Sequence, residues 1–278
     1  MTELFLDLLN LSLSALPLIL AVLLLRLLLR RAPRYIMPIL WGVAALRLVL
    51  PFSIESALSL VPSAEPINVE AVQLYAPSAN ITAAPAGSAA PVIDTGIPAV
   101  NSAVNGVVEQ MAAAAPGDSV SPLYVLASAA AIVYVIGLAA LLVWALMSYM
   151  GLKNRVSTAV ELSPGVYASE HVSSPFVLGV LRPRIYVPSG LDGGALGHVL
   201  AHERAHVARR DTLVKPLGYA VLCLHWFNPL VWLGYILFCR DIEAACDERV
   251  VRGLDRAGRA DYSEALLRCA SGKRLVSA

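Results

Sequence analysis

The chain has 278 residues, 58% of them hydrophobic and only 15% charged, with a formal net charge of +1. A soluble domain of this size carries about 25% charged residues, so an ordinary water-soluble composition is excluded. The near-neutral charge, with no basic stripe interleaved with aromatics, also argues against direct nucleic-acid binding.

The apolar residues fall in runs that read as membrane spans. The first is Leu4–Leu29, densest over Ser12–Leu25. Acidic Glu3 and Asp7 precede it, and no small-x-small cleavage site follows, so it reads as an anchor rather than a secretory leader. Arg26, Arg30, Arg31 and Arg34 follow the run, which places the N-terminus outside the cell. The second span is Tyr35–Phe52, with Trp41 in the middle and Arg47 either snorkelling or facing the bundle interior. Residues 1–52 thus form two transmembrane helices.

Residues 53–122 contain acidic groups such as Glu65 and Asp94 but no lysine or arginine, and are rich in Ala, Pro, Ser, Asn and Gly. They read as a mobile, acidic extracytoplasmic loop, with a sequon-like Asn80-Ile81-Thr82. Residues 123–150 form the third span, followed at once by Lys153 and Arg155, so residues 151–278 are expected in the cytoplasm. That part is modestly basic, as suits a surface beside anionic lipid. It holds all four cysteines, none in C-x-x-C spacing, so reduced thiols are expected rather than disulfides or a thiolate-bound zinc.

Short β-like runs at Val166–Ala168, Phe176–Leu181 and Arg184–Val187 are punctuated by Gly and Pro and predict a small sheet. Val177–Tyr186 reads first as scaffold, with capture of an extended substrate by strand addition as the alternative. A helix is then expected from Gly193 or Gly194 to about Arg210, with Asp192 as N-cap.

That helix carries His202-Glu203-Arg204-Ala205-His206. Histidines four apart share a helix face and suit a tetrahedral zinc, and the glutamate after the first can act as general base. His198 continues the face but is followed by Val199 and reads as a supporting or packing residue. His171 and His225 read as structural. A third ligand is offered by Glu243 or Asp247, four apart; one carboxylate can ligate while the other orients a ligand histidine. Asp211 either orients His206 or caps a helix. Between the two halves of the site, Leu217–Cys239 is long enough to cross a bilayer, which would hold Glu243 about 30 Å from His202. Asn228-Pro229 interrupts it, predicting instead a membrane-associated helical hairpin of Leu217–Phe227 and Leu230–Cys239 that returns to the same side.

The runs SPFVLGVLRPRIYVP (Ser174–Pro188), HERAH with Asp211, HWFNPLVW (His225–Trp232) and EAACDE (Glu243–Glu248), in that order, resemble the BlaR/MecR antirepressor metallopeptidases of bacteria over about residues 123–270. The resemblance implies a mostly α membrane protein with a cytoplasmic gluzincin-like peptidase domain. It implies Zn2+ on His202, His206 and Glu243, Glu203 as general base, and Asp247 as a supporting carboxylate. It further implies a protein or peptide substrate, either the chain itself or a DNA-binding repressor. The fourth span and S-x-x-K sensor of the best-known members have no counterpart among these residues, so antibiotic sensing is not supported; a fragment and a short member both remain open. A housekeeping or prenyl-protein protease of the HtpX type and a non-proteolytic transducer with structural zinc are the competing readings.

Overall fold

The computed structural model describes residues 2–50, 102, 122–191 and 193–275. Nearly all of the 53–122 loop, its Asn80 sequon and the Asp192 cap lie outside these residues. The chain is mostly helical with one small sheet: α1 (Thr2–Leu28), α2 (Ile36–Val49), α3 (Pro122–Arg155), β1 (Val160–Ser163), β2 (Val166–Ser169), β3 (Phe176–Leu178), β4 (Arg184–Pro188), α4 (Gly193–Ala208), α5 (Asp211–Leu224), α6 (Pro229–Val251) and α7 (Arg256–Leu275).

Among the described residues, two helices are long and apolar enough to cross a membrane, α1 and Leu126–Arg155 of α3. The expected second span is shorter than its apolar run. α2 has 14 residues, about 21 Å of helix against roughly 30 Å of hydrocarbon. Pro51 accounts for the stop, because the residue before a proline is disfavoured in the α region.

The described residues divide into two compact units. The first comprises the described parts of Met1–Leu29, Trp41–Leu141 and Val221–Gly234. Its interior is tied by polar contacts between apolar helices. Arg47 Nη2 donates to Ser14 Oγ at 3.0 Å and Nη1 to the Leu50 carbonyl at 3.3 Å, so this arginine faces other helices. His225 Nε2 donates to the Leu48 carbonyl at 3.1 Å, while its buried Nδ1 has no partner among the described residues. Asn228 Nδ2 donates to Ser12 Oγ at 2.8 Å, and its Oδ1 accepts from Leu230 N at 2.9 Å. Asn228 therefore caps α6, with Pro229 at the first helical position where a missing N–H costs nothing.

The second unit comprises the described parts of Arg30–Leu40, Leu142–Ala220 and Tyr235–Ala278. Its sheet has the order β1-β2-β4-β3, with β2 and β4 parallel and the other pairs antiparallel. β1 is an addition to the expected strands; it is only four residues long and exposed along most of its length. Ile185 and Val187 of β4 pack with Val166 and with Val199 of α4, while Tyr186 between them packs with Val156 and Val172. Val187 and Val199 are fully buried, each worth about 1.5–3 kcal/mol of transfer free energy. This clamp fixes α4 against the sheet. Gly179 ends β3 at φ +105, and an added Cβ would lie 2.6 Å from the Arg182 carbonyl oxygen, so the β3–β4 turn requires glycine.

α4 stops at Arg210, whose φ of +60 is left-handed, and the Arg210 carbonyl accepts from Leu213 and Val214 to start α5. α5 and α6 then double back on each other: Phe238 lies against Gly218 and Tyr235 against Tyr219. α6 runs unbroken from Pro229 to Val251, so the expected hairpin arm and the acidic segment are one 23-residue helix. His171, expected to be packed, is exposed after β2 instead.

Candidate metal centre

His202, Glu203 and His206 are all buried on one face of α4. Their neighbours come from three other helices. The Nε2 atoms of His202 and His206 lie 3.1 Å apart, and Glu243 Oε2 of α6 lies 3.6 and 3.2 Å from them respectively. Four donors held tetrahedrally at about 2.05 Å from zinc would be about 3.3 Å from one another. The three separations therefore match three corners of such a shell, and the residues fit the ion.

The outer ring nitrogens are occupied in ways that aim the inner ones. His206 Nδ1 donates to Asp211 Oδ2 at 2.7 Å. His202 Nδ1 is 2.7 Å from the Tyr262 hydroxyl, which donates onward to Asp247 Oδ1 at 2.8 Å. Asp247 is itself 3.2 Å from His202 Nδ1. Both Nδ1 atoms thus carry the proton, and both Nε2 lone pairs face the shared point.

The site is built to hold positive charge. Burial pulls both histidines down, but hydrogen bonds to Asp247 and Glu243 raise His202 to about 9, and bonds to Asp211, Cys246 and Glu243 raise His206 to about 11. Burial pushes Glu243 up, yet bonds from His202, His206 and Lys215 outweigh it and hold the carboxyl well below its ordinary range. Asp247 is lowered chiefly by its bond to His202. Glu203 moves the other way, raised mainly by burial, which suits a group that must take up a proton.

Of the expected residues, His202, His206, Glu243, Asp247 and Asp211 converge here, and Glu203 shares their cleft. Of its two alternatives, Asp211 bonds His206; it also stands as the first residue of α5. His198 does not reach the ligands; it meets the Tyr262 ring edge-on at 6.2 Å. Three contributors are absent from the sequence reading. Tyr262 bridges His202 and Asp247; Lys215 Nζ donates to Glu243 Oε1 at 2.6 Å; and the buried Cys246 thiol donates to the His202 carbonyl at 3.4 Å. Lys215 stands four residues after Asp211 on one helix face, a spacing that could have found it; no local pattern marks Tyr262. Ligand atoms of Cys246, His202 and His206 lie within 4.8 Å of one another, so a thiol stands nearer the site than the cysteine spacing led us to expect. Among the described residues, none of the four cysteines forms a disulfide.

The cleft has a volume of about 620 Å³ and is walled on one side by β3, the edge strand, from Phe176 to Leu178. Glu203, Glu243 and Lys215 line it, whereas Cys246 does not.

Comparison with known proteins points to one family. The model of the BlaR1 peptidase M56 family matches residues 6–278. Regulatory protein BlaR1 of Bacillus licheniformis is 32% identical over 109 residues, covering 38% of this chain and 18% of that protein. The methicillin resistance mecR1 proteins of Staphylococcus aureus and Staphylococcus epidermidis are each 26% identical over 105 residues, covering 36% of this chain and 18% of theirs. The aligned stretch is thus under a fifth of the length of each of these relatives. With the family model matched over nearly its whole length, the chain belongs to the BlaR1 peptidase family M56.

Proposed function

We propose that the protein is a zinc endopeptidase that works at the cytoplasmic face of a bacterial cell membrane, which it crosses several times, and cuts a protein chain during signal transduction. The observation that carries this reading is the convergence of His202 Nε2, His206 Nε2 and Glu243 Oε2 at tetrahedral spacing, with Glu203 in the same cleft. Glu243 is preferred to Cys246 as third ligand because it faces the cleft, while the Cys246 thiol is engaged with a backbone carbonyl.

Bound there, zinc supplies Lewis acidity toward a scissile carbonyl and makes a nearby water easier to deprotonate. Glu203 accepts that water's proton and returns it to the leaving amine; its burial-raised pKa favours holding the proton between the two steps. Asp211, and Tyr262 with Asp247, keep the two imidazoles fixed while this happens. Among the described residues β3 is an edge of the sheet beside the cleft, on which an extended substrate can lie as an added strand.

The substrate, by resemblance to the antirepressor peptidases, is the chain itself or a DNA-binding repressor. The test is a trap. The Glu203→Gln full chain, expressed in its membrane, should keep zinc, stop cleaving and accumulate uncut substrate, which mass spectrometry identifies. Turnover at the wild-type rate by this variant would refute the reading.

A further inference from the structure

Asp211 lines a second cleft in the same unit, with a volume of about 540 Å³. One wall is apolar: Tyr35, Pro38 and Ile39 from the start of α2, and Val214 from α5. Tyr35 and Ile39 are more than half exposed, at 53% and 59%. The other wall carries Arg209, Arg249 and Arg252. At the rim, Arg34 N donates to Glu248 Oε2 at 2.7 Å, which brings the turn bearing exposed Arg30, Arg31 and Arg34 to the same place.

The charges do not cancel. The cleft's two carboxylates are already engaged: Asp211 by His206 and Arg209, and Glu248 by Arg34 N and Arg252. Arg249 is exposed and has no ion-pair partner among the described residues. Positive charge is therefore in excess, with one guanidinium uncommitted, directly beside apolar side chains that water solvates poorly. A free anion would answer the arginines and leave Tyr35, Ile39 and Val214 wet. An amphiphile with an anionic head answers both walls at once.

We infer that this cleft binds an anionic phospholipid, its phosphate on Arg249 and Arg252 and its acyl chain along Ile39 and Val214. Guanidinium forks match phosphate oxygens two at a time, and basic pockets among helices at a membrane surface are suited to acidic headgroups. α2 favours lipid as the source: the apolar wall is the first turn of an apolar helix, so a chain lying along Ile39 continues into apolar surroundings. The site stands on this cleft alone and does not depend on the metal.

The test uses the full chain released from nanodiscs and analysed by native mass spectrometry. Phosphatidylglycerol should be retained in preference to phosphatidylcholine of the same chain length. Arg249→Gln and Arg252→Gln should each weaken its retention about fivefold, and Arg249→Lys should restore part of it. Ile39→Ser should weaken long-chain phosphatidylglycerol more than a dioctanoyl form. Glu203→Gln should retain lipid like the wild type, which separates this site from the peptidase reading. Equal retention of the two lipids, or no loss in the arginine variants, overturns the inference. Displacement by inorganic phosphate at equal concentration would assign the cleft to a free anion, and displacement by an acidic peptide to a protein partner; either overturns the lipid.

Discussion

The Tyr262 hydroxyl lies 2.7 Å from His202 Nδ1 and gives its own proton to Asp247, 2.8 Å away. The His202 imidazole on α4 is thereby steered from α7, sixty residues on. Tyr262→Phe keeps the ring but removes the link. Because Asp247 stays 3.2 Å from the same nitrogen, zinc affinity is expected to fall about tenfold, at the low end of losses for such supporting groups. Stability should fall by about 1–2 kcal/mol. Chelator competition reads the first and thermal melting the second; an unchanged affinity would deny Tyr262 its orienting role.

The third ligand is separable by a pair of variants. Glu243→Ala should lose bound zinc and activity together. Cys246→Ala should keep one zinc per chain, at a cost of about 1–2 kcal/mol for a small vacancy in a fully buried position. Metal analysis of the purified variants decides it, and zinc lost only from the cysteine variant would reverse the assignment.

The two histidines also set how the metal-free protein responds to pH. Unfolded, each titrates near 6.5; folded, His202 is raised to about 9 and His206 to about 11. The native state holds these protons more tightly, so the stability they contribute is complete below pH 6.5. It is lost as pH rises through about 9 and then about 11. Chelator-treated protein should therefore melt at a lower temperature at pH 10 than at pH 6. Zinc competes for the same nitrogens, so its apparent affinity should rise over that window with release of protons. Melting curves from pH 6 to 10, and calorimetry in buffers of different ionisation enthalpy, check the two halves; a melting temperature that climbs with pH without metal would contradict the geometry.

Gly179 links backbone conformation to the cleft. At φ +105, with the Arg182 carbonyl 2.6 Å from a would-be Cβ, Gly179→Ala should cost about 1–3 kcal/mol. Since the turn sets the edge of β3 along the cleft, peptide hydrolysis by this variant should show a raised KM with kcat nearly kept. A change confined to kcat would argue against substrate lying on β3.

What could be read from the chain was whatever a local period encodes. His202 and His206 share a helix face by spacing alone, Glu243 and Asp247 likewise, and Asn228-Pro229 announces its own break. Tyr262 and Cys246 reach the site only through the way α4, α6 and α7 pack, and no spacing within one helix points to that; Lys215, four residues after Asp211, was the one of the three that a helical spacing could have offered. β1 was unreadable for a different reason: Val160-Glu161-Leu162-Ser163 is mostly exposed and pairs on one edge only. Within Tyr35–Phe52 the described helix runs from Ile36 to Val49, two residues before Pro51, so the hydropathy of the run does not by itself mark the helix end.

The groups around the shared point come from four helices: the histidines from α4, Asp211 and Lys215 from α5, Glu243 and Asp247 from α6, Tyr262 from α7. An ion there is a clasp as well as a reagent. It closes a loop from His202 to Glu243, and Tyr262 draws α7 into the same knot without supplying a ligand. Closing such a loop removes freedom from the unfolded chain more than from the folded one. With zinc held there as proposed, metal supply is expected to govern whether these four helices persist as one cooperative body, before any bond is cut.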